Sequence, residues 1–390
     1  MALAYKTPGV YRETVFVRPQ AQLPTGVPGF VGCAHAIGTP AVAPLPPVPL
    51  QRPDDFTTAF TSPADGYLEA AVQGFFANGG ARCYVVAVEP AELDEAALIQ
   101  AIDALAPVTD LDLVAVPDAM TLEEHAAQRV QYAALAHCSE HGNRFAILDA
   151  PGGKDPNDPQ VDAVEDVRAW AYRFSTGTAQ PADAALYYPW VKVAVKDPPS
   201  VRAVPPCGHV AGVFARSDAR VGVFKAPANE ELMSVVDLEF GIDTAMQDRL
   251  NPGGVNCLRA FPGRGLRVWG ARTLSTDANW RYINVRRLFL TLVRWVDRNL
   301  AWAAFEPNTP RLWLRIQREL NVYLGQLWQA GALKGASAAE AFYVKCDAET
   351  NPADQREQGQ VTTEIGLSAG SPAEFVVVRI IQRAGVVQLS

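Results

Sequence analysis

Apolar positions change their period repeatedly along this chain. Across 63–80, Ala70, Ala71, Phe75 and Phe76 recur at helical spacing and stop at Asn78-Gly79-Gly80, and Cys83-Tyr84-Val85-Val86-Ala87-Val88 then forms a short apolar run. The same exchange continues with a helix near 91–105, a strand over 111–116, a helix near 121–141, a strand over 144–149, a helix near 161–174 and an apolar run over 184–193. Helices alternating with strands in this way predict an α/β layer with largely parallel strands. From about 196 to 275 the pattern breaks into Pro- and Gly-rich loops and short elements.

Two amphipathic helices follow, near 279–301 and 310–330. Thr309 is placed to cap the second, with Pro310 at its first position and Gly331 at its stop. Trp313, Ile316, Leu320, Leu324 and Leu327 form one stripe of that helix, the pattern of a core-facing side. Three strand-like runs close the chain, at 341–346, 361–367 and 374–381, and an isolated alternating run, Val10 to Val17, lies near its start behind Pro8-Gly9. The overall class is therefore α/β in the first two thirds and α+β overall, with an extended strand at each end.

Composition narrows the classes. With 49% apolar and 19% charged residues over 390 positions, the chain has globular composition and length for two or three domains. No stretch reaches the roughly 18 apolar residues of a membrane helix, and the start lacks a secretory h-region, so cytoplasmic synthesis without membrane insertion is expected. Cys33, Cys83, Cys138, Cys207, Cys257 and Cys346 are widely spaced, without a CxxC pair, and read as buried reduced thiols. His137 and His141 share a helical face that reads as solvated, and no metal site is expected.

Candidate chemistry is sparse. Asp118 and Asp149 follow predicted strands at the end where open sheets bind ligands, which is the basis of an alternative reading as a hydrolase or phosphotransferase. Helix capping and Asx-turns also favour Asp there. Gly152-Gly153-Lys154 lacks the spacing of a phosphate loop, no dinucleotide fingerprint or GxSxG elbow is present, and no cofactor is expected. Charge is uneven: residues 258–345 carry 14 Lys+Arg against 5 Asp+Glu, leaving a net of −17 elsewhere in a chain of net −8. Arg287, Arg294 and Arg298 on the first late helix, and Arg311, Arg315 and Arg318 on the second, form cationic stripes suited to an acidic partner. Their neighbouring aromatics fall on packing positions, which argues against nucleic acid.

YKTPGVYRE, TGVPGFVG, GYLEAAVQGFFANGGARCYVVAV, LNPGGVNCLRAFPGRGLRVWGARTL, WRYINVRRLFL, AAFEPNTPRLW, LWQAGALKGASAAEAFYVKCD and GLSAGSPAEFVVVRIIQ occur in that order. Together they resemble the contractile tail sheath proteins of phages, R-type pyocins and phage-like injection systems, with residues 90–250 similar only in general character. The resemblance implies a non-enzymatic subunit that polymerises as stacked hexameric rings around an inner tail tube, with baseplate and terminator proteins as further partners. It further implies cytoplasmic assembly into a tail or a released particle. It implies a strand-exchange arm over 1–20, an outer domain over 21–255, an inner domain over 256–370 and a second arm over 371–390. Val10, Tyr11, Arg12, Val15 and Val17, with Phe375, Val376, Val377, Val378 and Ile380, are then the inter-subunit strand residues. The six arginines of the late helices become the contacts to the tube.

Overall fold

The computed structural model describes residues 23–38, 46–158, 161–196, 199–372 and 374, and the backbone of 380–383 and 386–389. A nine-stranded sheet organises the body. Its six central strands, in spatial order Val255–Phe261, Ala184–Tyr188, Phe145–Asp149, Leu113–Ala115, Pro28–Cys33 and Cys83–Val88, are all parallel to their neighbours. Gly265–Trp269 and Glu230–Glu231 extend one edge antiparallel, and Val48–Leu50 closes the other. Parallel strands need crossovers, and the helices that supply them cover both faces, which is why these strands are near-continuous apolar runs.

The pleat of Cys83–Val88 shows the consequence. Cys83, Val85 and Ala87 enter one core with Phe56, Phe75 and Phe214. Val86 and Val88 enter the other with Leu98, Leu135 and Trp170. Helices Glu95–Asp103, Glu124–His141 and Ala163–Phe174 build the second layer, close to where periodicity places them. Leu68–Ala77 and Cys207–Arg220 pack on the first.

Cys207–Arg220 and the strand pair that follows it lie in the stretch the sequence pattern breaks into loops. That helix is buried without interruption from Cys207 to Ala215, and its exposed positions, Ala219 and Arg220, come only at its end. Gly208 and Gly212 let it cross Leu68–Ala77 at close range, since a Cβ at either would overlap the carbonyl of Ala71 or Phe75. The strand Val255–Phe261 belongs to the main sheet, and the expected boundary at 255/256 falls between its first two residues.

Beyond the sheet, Ile283–Asn299 lies between the body and Pro310–Gln329. Ile283 and Leu290 join the body core, while Trp295 stacks on Tyr323 and meets Leu312, Trp313, Ile316 and Leu320. Thr309 stands at the N-cap without a side-chain cap bond. Phe342–Lys345 and Glu364–Leu367 form a separate antiparallel pair against this layer. All six cysteines are buried free thiols. His137 is buried too, against expectation: its Nε2 lies 2.7 Å from Nη1 of Arg144, and burial first, then that cation, holds its pKa down at about 3.

Candidate assembly surfaces

Asp118 and Asp149 sit where the sequence places them, at the carboxyl ends of adjacent parallel strands, and both are buried. Asp118 commits both oxygens to backbone and Asp149 one, its Oδ2 being buried without a hydrogen-bond partner among the described residues. Asp118 Oδ2 accepts the Cys33 N–H at 2.7 Å and Oδ1 the Tyr67 N–H at 2.5 Å, while Asp149 Oδ1 accepts the Cys207 N–H at 2.9 Å. Tyr67 and Cys207 open the helices Leu68–Ala77 and Cys207–Arg220, whose own N-cap residues, Tyr67 and Pro206, provide no side-chain cap. The two aspartates therefore cap helix N-termini from neighbouring strands, where a carboxylate meets orphan N–H groups and the positive end of the dipole. Burial still raises their pKa values, to about 6 for Asp118 and about 7 for Asp149. A cleft of about 250 Å³ does open nearby, lined by Leu122, Lys154, Trp170 and Trp190 among others, and neither aspartate lines it.

The arginine stripes separate into two groups. Arg287 is 2% exposed, and its guanidinium forks onto Asp218 at 2.8 and 2.5 Å while Nη2 also reaches Asp112 at 3.0 Å. Arg294 is 5% exposed, with Nη2 on the Asp110 carbonyl at 3.0 Å and Nη1 3.8 Å from Asp112. These two were expected at a tube, and the structure corrects that: they bind the body of their own subunit. The reason is non-local. Their helix is covered on both sides, and the acids that meet Arg287 are 69 and 175 residues away in sequence. Arg286 with Asp183 and Arg272 with Glu374 repeat the theme, so much of the charge asymmetry is an internal joint rather than two exposed surfaces.

Arg298, Arg311, Arg315 and Arg318 are exposed. Arg315 lies 3.5 Å over the Trp302 ring and 3.6 Å from Glu319, and the other three have no ion pair among the described residues. Leu314 and Val322 are exposed beside them on the outer helix, and Phe305, at φ 65°, projects fully into solvent from the turn between the two helices. Of the strand residues, Val10, Tyr11, Arg12, Val15, Val17, Phe375, Val376, Val377 and Val378 lie outside the described residues; Ile380 opens a strand, Ile380–Arg383, that pairs antiparallel with Val386–Leu389. Phe342–Lys345 and Glu364–Leu367 pair only with each other among the described residues, so each keeps one open edge.

Carboxylates used as caps, cations used as joints and open strand edges define a structural protein that builds assemblies rather than one that turns over a substrate. The comparisons agree. The phage tail sheath protein central domain matches residues 57–274 and the phage tail sheath C-terminal domain residues 275–383. A putative prophage major tail sheath protein of Pseudomonas aeruginosa (strain UCBPP-PA14) is 27% identical over 362 residues, covering 88% of this chain and 86% of its own. The helical sheath of the anti-feeding prophage in its contracted state is 32% identical with a TM-score of 0.76, over 97% of this chain and 100% of that one. The sheath of an extracellular contractile injection system, PVC, in its contracted state gives 29% identity and a TM-score of 0.75, over 98% and 99% of the two chains.

The chain belongs to the phage tail sheath protein family. It is a contractile tail sheath subunit, a structural protein and not an enzyme. The two family domains meet at 274/275, beyond the last strand of the main sheet and before the arginine-rich helix.

Proposed function

We propose that the chain polymerises in stacked hexameric rings around an inner tail tube, between a baseplate and a terminator, and contracts from a metastable extended packing to drive that tube through a target envelope. Assembly takes place in the bacterial cytoplasm, and the finished particle acts after release or as part of a tail. The observation that carries this reading is the two-stranded sheet of Phe342–Lys345 and Glu364–Leu367, with an open edge on each side. A two-stranded sheet is marginal by itself, and a donated strand from a neighbour would complete its ladder. The donors are the arms, residues 1–20 with Val10 to Val17, and residues 371–390 with Phe375 to Val378 and Ile380.

The tube-facing surface is the outer helix with the turn before it. Arg298, Arg311, Arg315 and Arg318 supply positive charge and Leu314, Val322 and Phe305 supply apolar area. Exposed pairs contribute only about 0–1 kcal/mol each, so such contacts hold a sheath collectively and release it readily. The experiment is deletion of residues 1–18 in the full chain co-expressed with its tube protein. The subunit should stay soluble and folded while sheaths disappear from electron micrographs, whereas sheaths of normal length would defeat the strand-exchange reading.

A further inference from the structure

The proposed arms join the body at two places where a carboxylate holds the chain. On the N-terminal side, Asp112 accepts the N–H groups of Gly26 at 3.0 Å and Val27 at 2.6 Å, and Arg287 ties the same carboxylate to Asp218. All three side chains are buried. Gly26 takes φ +67°, and a Cβ there would overlap Ala215, so the backbone is seated against the buried helix. Leu23 packs on the cluster of Trp295, Trp313 and Ile316.

On the C-terminal side, Glu374 receives Arg272 Nε at 2.8 Å and Nη2 at 2.5 Å, Asn251 Nδ2 at 3.1 Å and Tyr282 Oη at 3.3 Å. The fork is largely desolvated, with the Arg272 and Glu374 side chains 13% and 18% exposed. A forked guanidinium–carboxylate pair is directional in a way that a surface lysine pair is not. The two sites converge on one element. Tyr282 is the N-cap of the helix Ile283–Asn299, and Arg287 lies in its second turn.

We propose that Asp112–Arg287–Asp218 and Arg272–Glu374 are a pair of arm clamps. They fix where both terminal arms leave the body and deliver the load on each donated strand to the first turns of the same helix. Any change of arm direction during contraction then takes place outside residues 26–374. This inference rests on the strand-exchange reading above. Arg272 and Arg287 are positioning residues, acting on the arms through Glu374 and Asp112.

The test compares the full chain with Glu374→Gln and Asp112→Asn, each co-expressed with the tube protein, together with Asp166→Asn as a control at the exposed Lys154 pair. Glu374→Gln should melt within about 2 °C of wild type, since about 1 kcal/mol shifts a chain of 390 residues by only about 1 °C. Its sheath yield should nevertheless fall about tenfold, the factor that each ~1.4 kcal/mol of lost contact free energy gives. Arg272→Lys, which keeps the charge and loses the fork, should recover part of the yield. Should Asp112→Asn or Glu374→Gln fail to fold, Tyr282→Phe removes one hydroxyl and should lower yield in the same direction. Clamp variants that assemble at wild-type yield, or whose yield falls only in step with melting temperature, would overturn the clamps. If the 1–18 deletion abolishes sheaths while the clamp variants form them normally, the clamps alone fail. If the deletion also leaves sheaths intact, the arm reading fails and the clamps with it.

Discussion

Asp149 shows what a single residue discloses and what it withholds. Its place at the end of a parallel strand is legible from the apolar run that leads to it, but its partner, the Cys207 N–H, is 58 residues away, on a helix in the Pro- and Gly-rich stretch that reads as loops. As a cap its removal has a defined effect: Asp149→Ala should cost about 1–2 kcal/mol in chemical denaturation. Its titration gives a second. Asp118 and Asp149 have folded pKa values of about 6 and about 7, above the 3.8 of a free aspartate, so their contribution is full at low pH and is lost as pH rises through 6 and 7. His209 and His137 are pushed the other way, mainly by burial, to about 4 and about 3 from 6.5, so their contributions are full above pH 6.5 and fall away as pH drops toward 4 and 3, offsetting the two aspartates there. Thermal stability should therefore climb as pH falls from 8 to about 6.5 and then level or reverse. Asp149→Asn should flatten the climb in melts followed by circular dichroism, and an unchanged slope would remove Asp149 as its source.

Among elements, the parallel strands at 83–88, 113–115 and 145–149 were legible from their apolar runs and the outer helix from its stripe, and Cys207–Arg220 was not. The outer helix shows its buried stripe in sequence: Trp313, Ile316, Leu320 and Leu324 are buried as expected, Leu327 is only half-buried, and Leu312 joins the buried side. Cys207–Arg220, which follows Pro205-Pro206 and carries Gly208 and Gly212 in its first half, reads as a loop although the sheet and a second helix enclose it. The arginine-rich helix misleads differently. Its stripe is real, but whether Arg287 faces a partner or its own body depends on Asp112 and Asp218, which only the fold brings near. The crossing of Cys207–Arg220 over Leu68–Ala77 yields a sharp expectation. Gly212→Val should cost at least about 3 kcal/mol, near the upper end for an overpacked core, because the helices must separate around the Phe75 carbonyl. Gly263→Ala, at a turn with nothing within 4 Å of its Cβ position, should cost much less in the same assay despite its φ of +71°.

At the scale of the whole molecule, the chain combines a rigid α/β body, a two-helix layer tied to it by buried ion pairs, and a small sheet with open edges. The two kinds of cation separate two kinds of failure. Arg287→Glu places a third negative charge against Asp112 and Asp218 and should prevent folding. Joint replacement of Arg311, Arg315 and Arg318 by Glu should leave the subunit folded and reduce the fraction of extended, tube-filled particles. The measurement that bears most directly on the central claim is electron microscopy of the full chain co-expressed with its tube protein. Wide, hollow helical tubes in which this chain forms the wall are the predicted result, and a preparation containing only small discrete particles under every assembly condition would contradict it.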